Sequence, residues 1–210
     1  MGQGIPASLI LHMPYAAKFK ITSGPTAEPV SLTEAKDQCR VDDQSTLDDT
    51  FLNNAIITAR EYYEQVTDRF LMPRTVEVTL QNFPSIRQIE LAGAIVRSIT
   101  SVKYYDSDNA LQTLSSSKYY LFDYFSPNSV VLDSAEAWPD TYERENAVII
   151  TYEGGYATAS DVPQKSKTAI LMMVAELFTN RESSSVTGTV SSLTRAYTNL
   201  ISTEKTYGRY

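Results

Sequence analysis

Residues 45–80 read STLDDTFLNNAIITAREYYEQVTDRFLMPRTVEVTL, and the apolar period changes within them. From Leu47 the apolar positions step through Phe51, Ala55, Ala59, Tyr62 and Val66. Steps of three and four place them on one face of an α-helix. Leu52, Ile56 and Tyr63 widen that face. The helix should end before Met72-Pro73, because proline disfavours helix in the residue before it. Val76-Glu77-Val78-Thr79-Leu80 then alternates with a period of two, as a half-buried strand does. Helix yielding to strand in this way predicts an α+β chain, with a helix over about 45–68 whose core face holds Leu47, Phe51, Ala55 and Tyr62.

Upstream, Ser31-Leu32-Thr33-Glu34 has the spacing of a capping box and opens a short helix over about 31–41. Asp42 and Asp43 form the turn that follows. Residues 1–29 carry Pro6, Pro14, Pro25, Pro29 and Gly24, and read as an extended arm without periodicity. The arm also carries Ile5, Leu9, Ile10, Leu11, Met13, Tyr15, Phe19 and Ile21, so it is expected to lie on its own domain or on a neighbour.

Downstream, further short strands are expected at Ile86–Leu91, Ile99–Tyr105, Tyr119–Phe122, Val130–Leu132 and Ala147–Tyr152. Asp106-Ser107-Asp108-Asn109 is turn chemistry. Six strands make a small antiparallel β unit over about 74–152, inserted between helical parts. Glu153-Gly154-Gly155-Tyr156 ends the sheet. Ser160 or Asp161 can cap the next helix, over about 161–181, with Pro163 in its first turn. That helix is apolar nearly all round from Ala169 to Phe178 and should be buried on several sides. The last 29 residues hold 12 Ser or Thr, yet carry Leu193, Tyr197, Leu200, Ile201, Tyr207 and Tyr210, as a segment that orders on a partner would. The expected organisation is an arm over 1–29, a domain over 30–182 containing the β insertion, and a tail over 183–210.

The net charge of the 210-residue chain is −7, the wrong sign for a protein that neutralises DNA phosphates. Residues 31–68 alone hold nine acids and three bases. That zone reads as a solvated face, or as a surface that repels a polyanion or meets a basic partner. One cysteine, Cys39, allows no intramolecular disulfide, and with a single histidine, His12, no Cys/His zinc site assembles. His12 sits in the arm beside Pro14, a poor scaffold for a catalytic triad, and Cys39 reads as a structural thiol. Neighbouring helical residues point to different faces, so neither Asp42-Asp43 nor Asp48-Asp49 forms a site alone. The helix dipole explains acids there without chemistry. No catalytic, metal or cofactor residue is assigned, and the chain is not expected to be an enzyme. Its longest apolar runs, such as Ala169–Ala175, are too short to span a bilayer, and no basic stretch precedes the first, so a soluble intracellular protein without membrane partners is expected.

The order of elements carries a resemblance. Pro29-Val30-Ser31-Leu32-Thr33-Glu34-Ala35-Lys36, Arg40-Val41-Asp42, Asp48-Asp49, Phe51-Leu52 and Ala59-Arg60 resemble the opening of phage head–tail connector (adaptor) proteins. Thr151-Tyr152-Glu153-Gly154-Gly155-Tyr156, Val162-Pro163, Lys167, Ala169–Ala175 and Asn180-Arg181-Glu182 resemble their later part. Glu153-Gly154 replaces a more usual small pair, and Gln38-Cys39 interrupts the first helix's apolar pattern. The resemblance covers about residues 28–183.

It implies a helical bundle decorated by the β unit, with no catalysis. It further implies a homo-oligomeric ring, typically twelve-fold, under the portal protein in the virion neck, after assembly in the host cytoplasm. Such a ring extends the DNA channel and meets a tail-completion or stopper protein. DNA passes through without specific binding. An acidic lumen would let it slide, which makes Asp42, Asp43, Asp48, Asp49, Glu61 and Glu64 candidates for the channel side. Ile170, Met173 and Leu177 become candidates for the subunit interface, and Leu193, Tyr197, Leu200, Ile201, Tyr207 and Tyr210 for portal docking. Two rival readings remain: a hydrolase using the acidic doublets, and a monomeric assembly or regulatory binding module.

Overall fold

A computed structural model describes residues 17–124, 128–181 and 195–202. They form two compact units, one from residues up to Pro25 and from Asp68–Tyr156, the other from Thr26–Thr67 and from Ala157 onward. The chain is mixed α+β.

The first unit is built of antiparallel strands. Among the described residues they are β1 (Lys18–Ser23), β2 (Arg74–Leu80), β3 (Gln88–Glu90), β4 (Val96–Tyr105), β5 (Leu111–Thr113), β6 (Tyr119–Phe122), β7 (Ser129–Leu132) and β8 (Val148–Gly154). A five-stranded sheet runs β1-β2-β8-β4-β5, and a three-stranded sheet runs β3-β7-β6. Strict alternation sets the inward rows: Val76, Val78 and Leu80 of β2 are buried and face Tyr152, Ile150 and Val148 of β8. Phe19 extends one row beside Val78, and Val102 extends it beside Ile150. Ile89, Val130 and Leu121 align across the smaller sheet, and Ile89 and Val130 join the same apolar cluster.

Two of these strands exceed the six expected. Lys18–Ser23 belongs to the stretch read as an arm, and β5 is three exposed residues held by the turn at Asp106. Asp106 accepts from the amides of Asp108 and Ala110 and from Gln112 Nε2. The glycine pair closes the sheet. Gly155 has φ of +87°, and a Cβ there would lie 2.1 Å from the Met72 carbonyl oxygen. Its own amide donates to Ile95 O, and that of Tyr156 donates to Leu71 O.

Among the described residues the second unit packs four helices: α1 (Leu32–Cys39), α2 (Asp49–Thr67), α3 (Gln164–Thr179) and α4 (Arg195–Ser202). The capping box at Ser31 and Glu34 is formed in both directions. The α2 reading needs correction. The helix begins at Asp49, four residues later than expected, and its buried face holds Leu52, Ala55, Ile56, Ala59 and Tyr63. Leu47, expected in the core, is 93% exposed in the preceding turn, and Tyr62 is 38% exposed. Lys36 gives the physical reason. Its buried ammonium donates to the carbonyls of Asp43 and Ser45 and pairs with Asp49 at 2.7 Å, holding residues 42–48 as a loop. At α3 the cap also differs: Thr158 forms a box with Asp161 around a short 3-10 turn, and α3 starts after Pro163. Among the described residues no helix is long and apolar enough to cross a membrane.

Candidate functional site and assembly surfaces

The acidic zone lies in the helical unit, but much of its charge is spent internally. Asp48 accepts from Arg181 at 2.7 Å, and Asp49 is paired with Lys36. Glu64 is buried and accepts from Arg60 Nη1 at 3.0 Å, while Arg60 Nε donates to Glu28 at 2.7 Å. Burial opposes the charge on Arg60, yet its bonds to Glu28 and Glu64 outweigh burial and raise its pKa. Of the six acids proposed for a channel, Asp42, Asp43 and Glu61 are exposed. Glu64 is corrected from a surface acid to an interior ion pair, because Arg60 needs an internal counter-charge.

Arg181 organises the end of α3. Its guanidinium lies 4.4 Å from the ring centre of Phe51 and 4.2 Å from that of Phe178, and the two rings meet edge to face at 6.1 Å. Stacking of this kind needs a planar cation, which lysine lacks. Cys39 is half-buried, and burial raises its thiol pKa despite the charge of Arg181. A raised pKa disfavours the nucleophilic thiolate. Among the described residues no group of three or more His, Cys, Asp or Glu is placed to hold a metal. His12 lies outside the described residues.

The three interface candidates share the inward side of α3. Ile170 is fully buried, and half-buried Met173 and Leu177 recur with it and Val174 at the spacing of one helical stripe. Ile170 thus lies in the unit's own core, the burial expected of this apolar helix. Tyr197 and Ile201 of α4 are each 3% exposed, and Tyr197 stacks on Tyr62 with ring centres 6.4 Å apart. As placed, these two anchors hold α4 to its own helices, a correction to their reading as free docking side chains. Leu200 is half-buried, and Leu193, Tyr207 and Tyr210 lie outside the described residues. The helix α4 was legible in the sequence but not read there: Leu193, Tyr197, Leu200 and Ile201 recur at the spacing of one helical face.

No family model matches the chain, and no curated protein matches it in sequence. Solved structures do match in fold. One is a chain from the neck of an empty gene transfer agent particle computed with C6 symmetry, with a TM-score of 0.74 and 16% identity, covering 90% of this chain and 96% of that one. A chain of the virion of a native gene transfer agent particle gives 0.73 and 16%, covering 90% and 95%. A chain from the neck of the native particle computed with C12 symmetry gives 0.65 and 18%, covering 90% and 96%. The fold is thus one found in chains of gene transfer agent particles, over nearly the full length of both partners.

Proposed function

We propose that this chain is a structural protein of the virion neck, a head–tail connector that forms a ring beneath the portal, extends the DNA channel and joins head to tail. The observation that carries it is the fold likeness to chains from particle necks, which spans 90% of this chain and 96% of theirs. The resemblance of residues 28–183 to connector proteins supports it independently. The symmetry of those neck structures supports a ring of identical copies. The partners in this reading are the portal protein, a tail-completion or stopper protein and further copies of the chain. The acidic doublets do not favour hydrolysis, because Asp48 and Asp49 are held by Arg181 and Lys36.

Within this reading the channel role narrows to Asp42, Asp43 and Glu61, whose exposed carboxylates would repel passing phosphates. Portal docking narrows to Leu193, Tyr207 and Tyr210, with Leu200 at their boundary. Truncation after Ser202 tests this, since it keeps Tyr197 and Ile201 in the core. Mixing the full chain with the cognate portal should add a ring visible by electron microscopy. The truncated chain should stay folded and fail to dock. Absence of binding by the full chain would refute the connector reading, and docking by the truncated chain would refute a docking role for Tyr207 and Tyr210.

A further inference from the structure

We propose that the cleft formed by the loop between β7 and β8 is a docking site for a basic, extended segment of another protein. The inference goes beyond the neck reading and stands on the β unit alone.

That loop, residues 133–147, is fixed at four points. Glu136 pairs with Lys118 at 2.8 Å, the Trp138 indole donates to Ile86 O at 2.9 Å, the Tyr142 amide donates to Tyr105 O, and Glu145 pairs with Lys18. Trp138 stacks on Phe83, with ring centres 4.6 Å apart and planes 5° from parallel. The loop and residues 81–85 line two adjoining open cavities of about 670 and 520 Å³, which share Asn82 and Thr141. Each is of a size that holds a small ligand, and two in a row suit a chain that runs through both. Aromatic-lined grooves of this kind hold extended segments.

The lining selects the charge of the occupant. Asp140 lines the larger cavity and Glu143 the smaller. Both are exposed, and neither has a bonded partner among the described residues. Arg144, the one base of the lining, is drawn off: its guanidinium lies 3.8 Å from the ring centre of Tyr105 and donates to Asn109 and Asn146. Glu145 is held by Lys18. The charges left free are therefore acidic. Trp138 and the 43% exposed Tyr142 add ring faces that attract cations. Carboxylates beside aromatic rings fit lysine and arginine side chains. The same carboxylates repel a nucleic acid, and a second copy, which brings a net charge of −7, is opposed by them as well.

Trp138 is the only tryptophan of the chain, so its fluorescence reports on the cleft directly. The full chain is titrated with a decapeptide of alternating lysine and proline, and with the glutamate–proline peptide of the same shape. The lysine peptide should shift the emission saturably, and less so as salt rises from about 0.05 to about 0.5 M. The glutamate peptide should leave it unchanged. Asp140→Asn combined with Glu143→Gln keeps the side-chain shapes and should weaken binding about tenfold or more, whereas Asp37→Asn on α1 should have no effect. Neither a shift nor heat of binding with the lysine peptide, equal responses to both peptides, or undiminished binding by the double variant would overturn the site. Spermidine acting as strongly as the lysine peptide would overturn the extended occupant. A chain lacking residues 203–210 whose emission is already altered without peptide would make its own tail the occupant and overturn the partner. All these outcomes leave the neck reading to the portal experiment.

Discussion

The guanidinium of Arg60 donates to the carboxylate of Glu28 across 2.7 Å and ties the segment leading into α1 to the middle of α2. Glu64 completes the network from the next turn of α2. Glu28 is partly solvated, whereas the Glu64 side chain is 8% exposed. The two partners should therefore respond differently. Arg60→Leu strands Glu64 without its cation and is expected to cost roughly 3 kcal/mol. Glu28→Gln leaves the inner pair intact and should cost about 1 kcal/mol. Urea unfolding checks both, and equal costs would contradict the network.

Gly155 stands where no other residue fits. Gly155→Ala meets both a φ of +87° and the Met72 carbonyl, and is expected to cost about 3 kcal/mol or to prevent folding. Gly24→Ala, with open space around it, should stay within about 0.5 kcal/mol of wild type. Thermal melts of the pair separate the local clash from a general loss of chain flexibility.

Two buried tyrosines should behave oppositely. The hydroxyl of Tyr152 donates to Ala92 O at 3.0 Å inside the β unit, and burial pushes its pKa far upward. Tyr152→Phe leaves that carbonyl unpaired and should cost about 1 to 2 kcal/mol. The Tyr197 hydroxyl has no hydrogen-bond partner among the described residues. Tyr197→Phe should therefore be neutral or slightly stabilising, and amide exchange in α4 should slow or stay unchanged. A clear loss of protection in α4 would show that the hydroxyl is bonded in solution.

The capping box gives α1 a pH dependence of definite sign. The Ser31 amide, with help from its hydroxyl and Lys167, lowers the Glu34 pKa against a smaller opposing effect of burial. A lowered folded-state pKa means that the contribution is present above the ordinary glutamate range and is lost as pH falls through the lowered value. Wild type should exceed Glu34→Gln in melting temperature at neutral pH, and the gap should close on acidification. A constant gap would place the effect elsewhere.

The strands were legible wherever one face of the chain is buried and the other wet, as at Val76–Leu80, because burial on one face writes a period of two. Lys18–Ser23 escaped this reading because its alternation acquires meaning only beside Val76 and Val78 of β2. The α2 stripe was seen in part. Leu52, Ile56 and Tyr63 widened it in the sequence and form its centre in the structure, while Leu47 falls in a loop held by Lys36. That clamp joins backbone carbonyls to an ammonium, and no local pattern announces it. Among the assembly candidates, Ile170, Tyr197 and Ile201 already have partners within the chain. Burial depends on which helices meet, and periodicity alone does not say.

Cryo-electron microscopy of the particle neck tests the connector reading most directly. The expected result is a closed ring of this fold between portal and tail, around the DNA path. A neck whose ring below the portal is built of another chain, with this one absent from the particle, would contradict it.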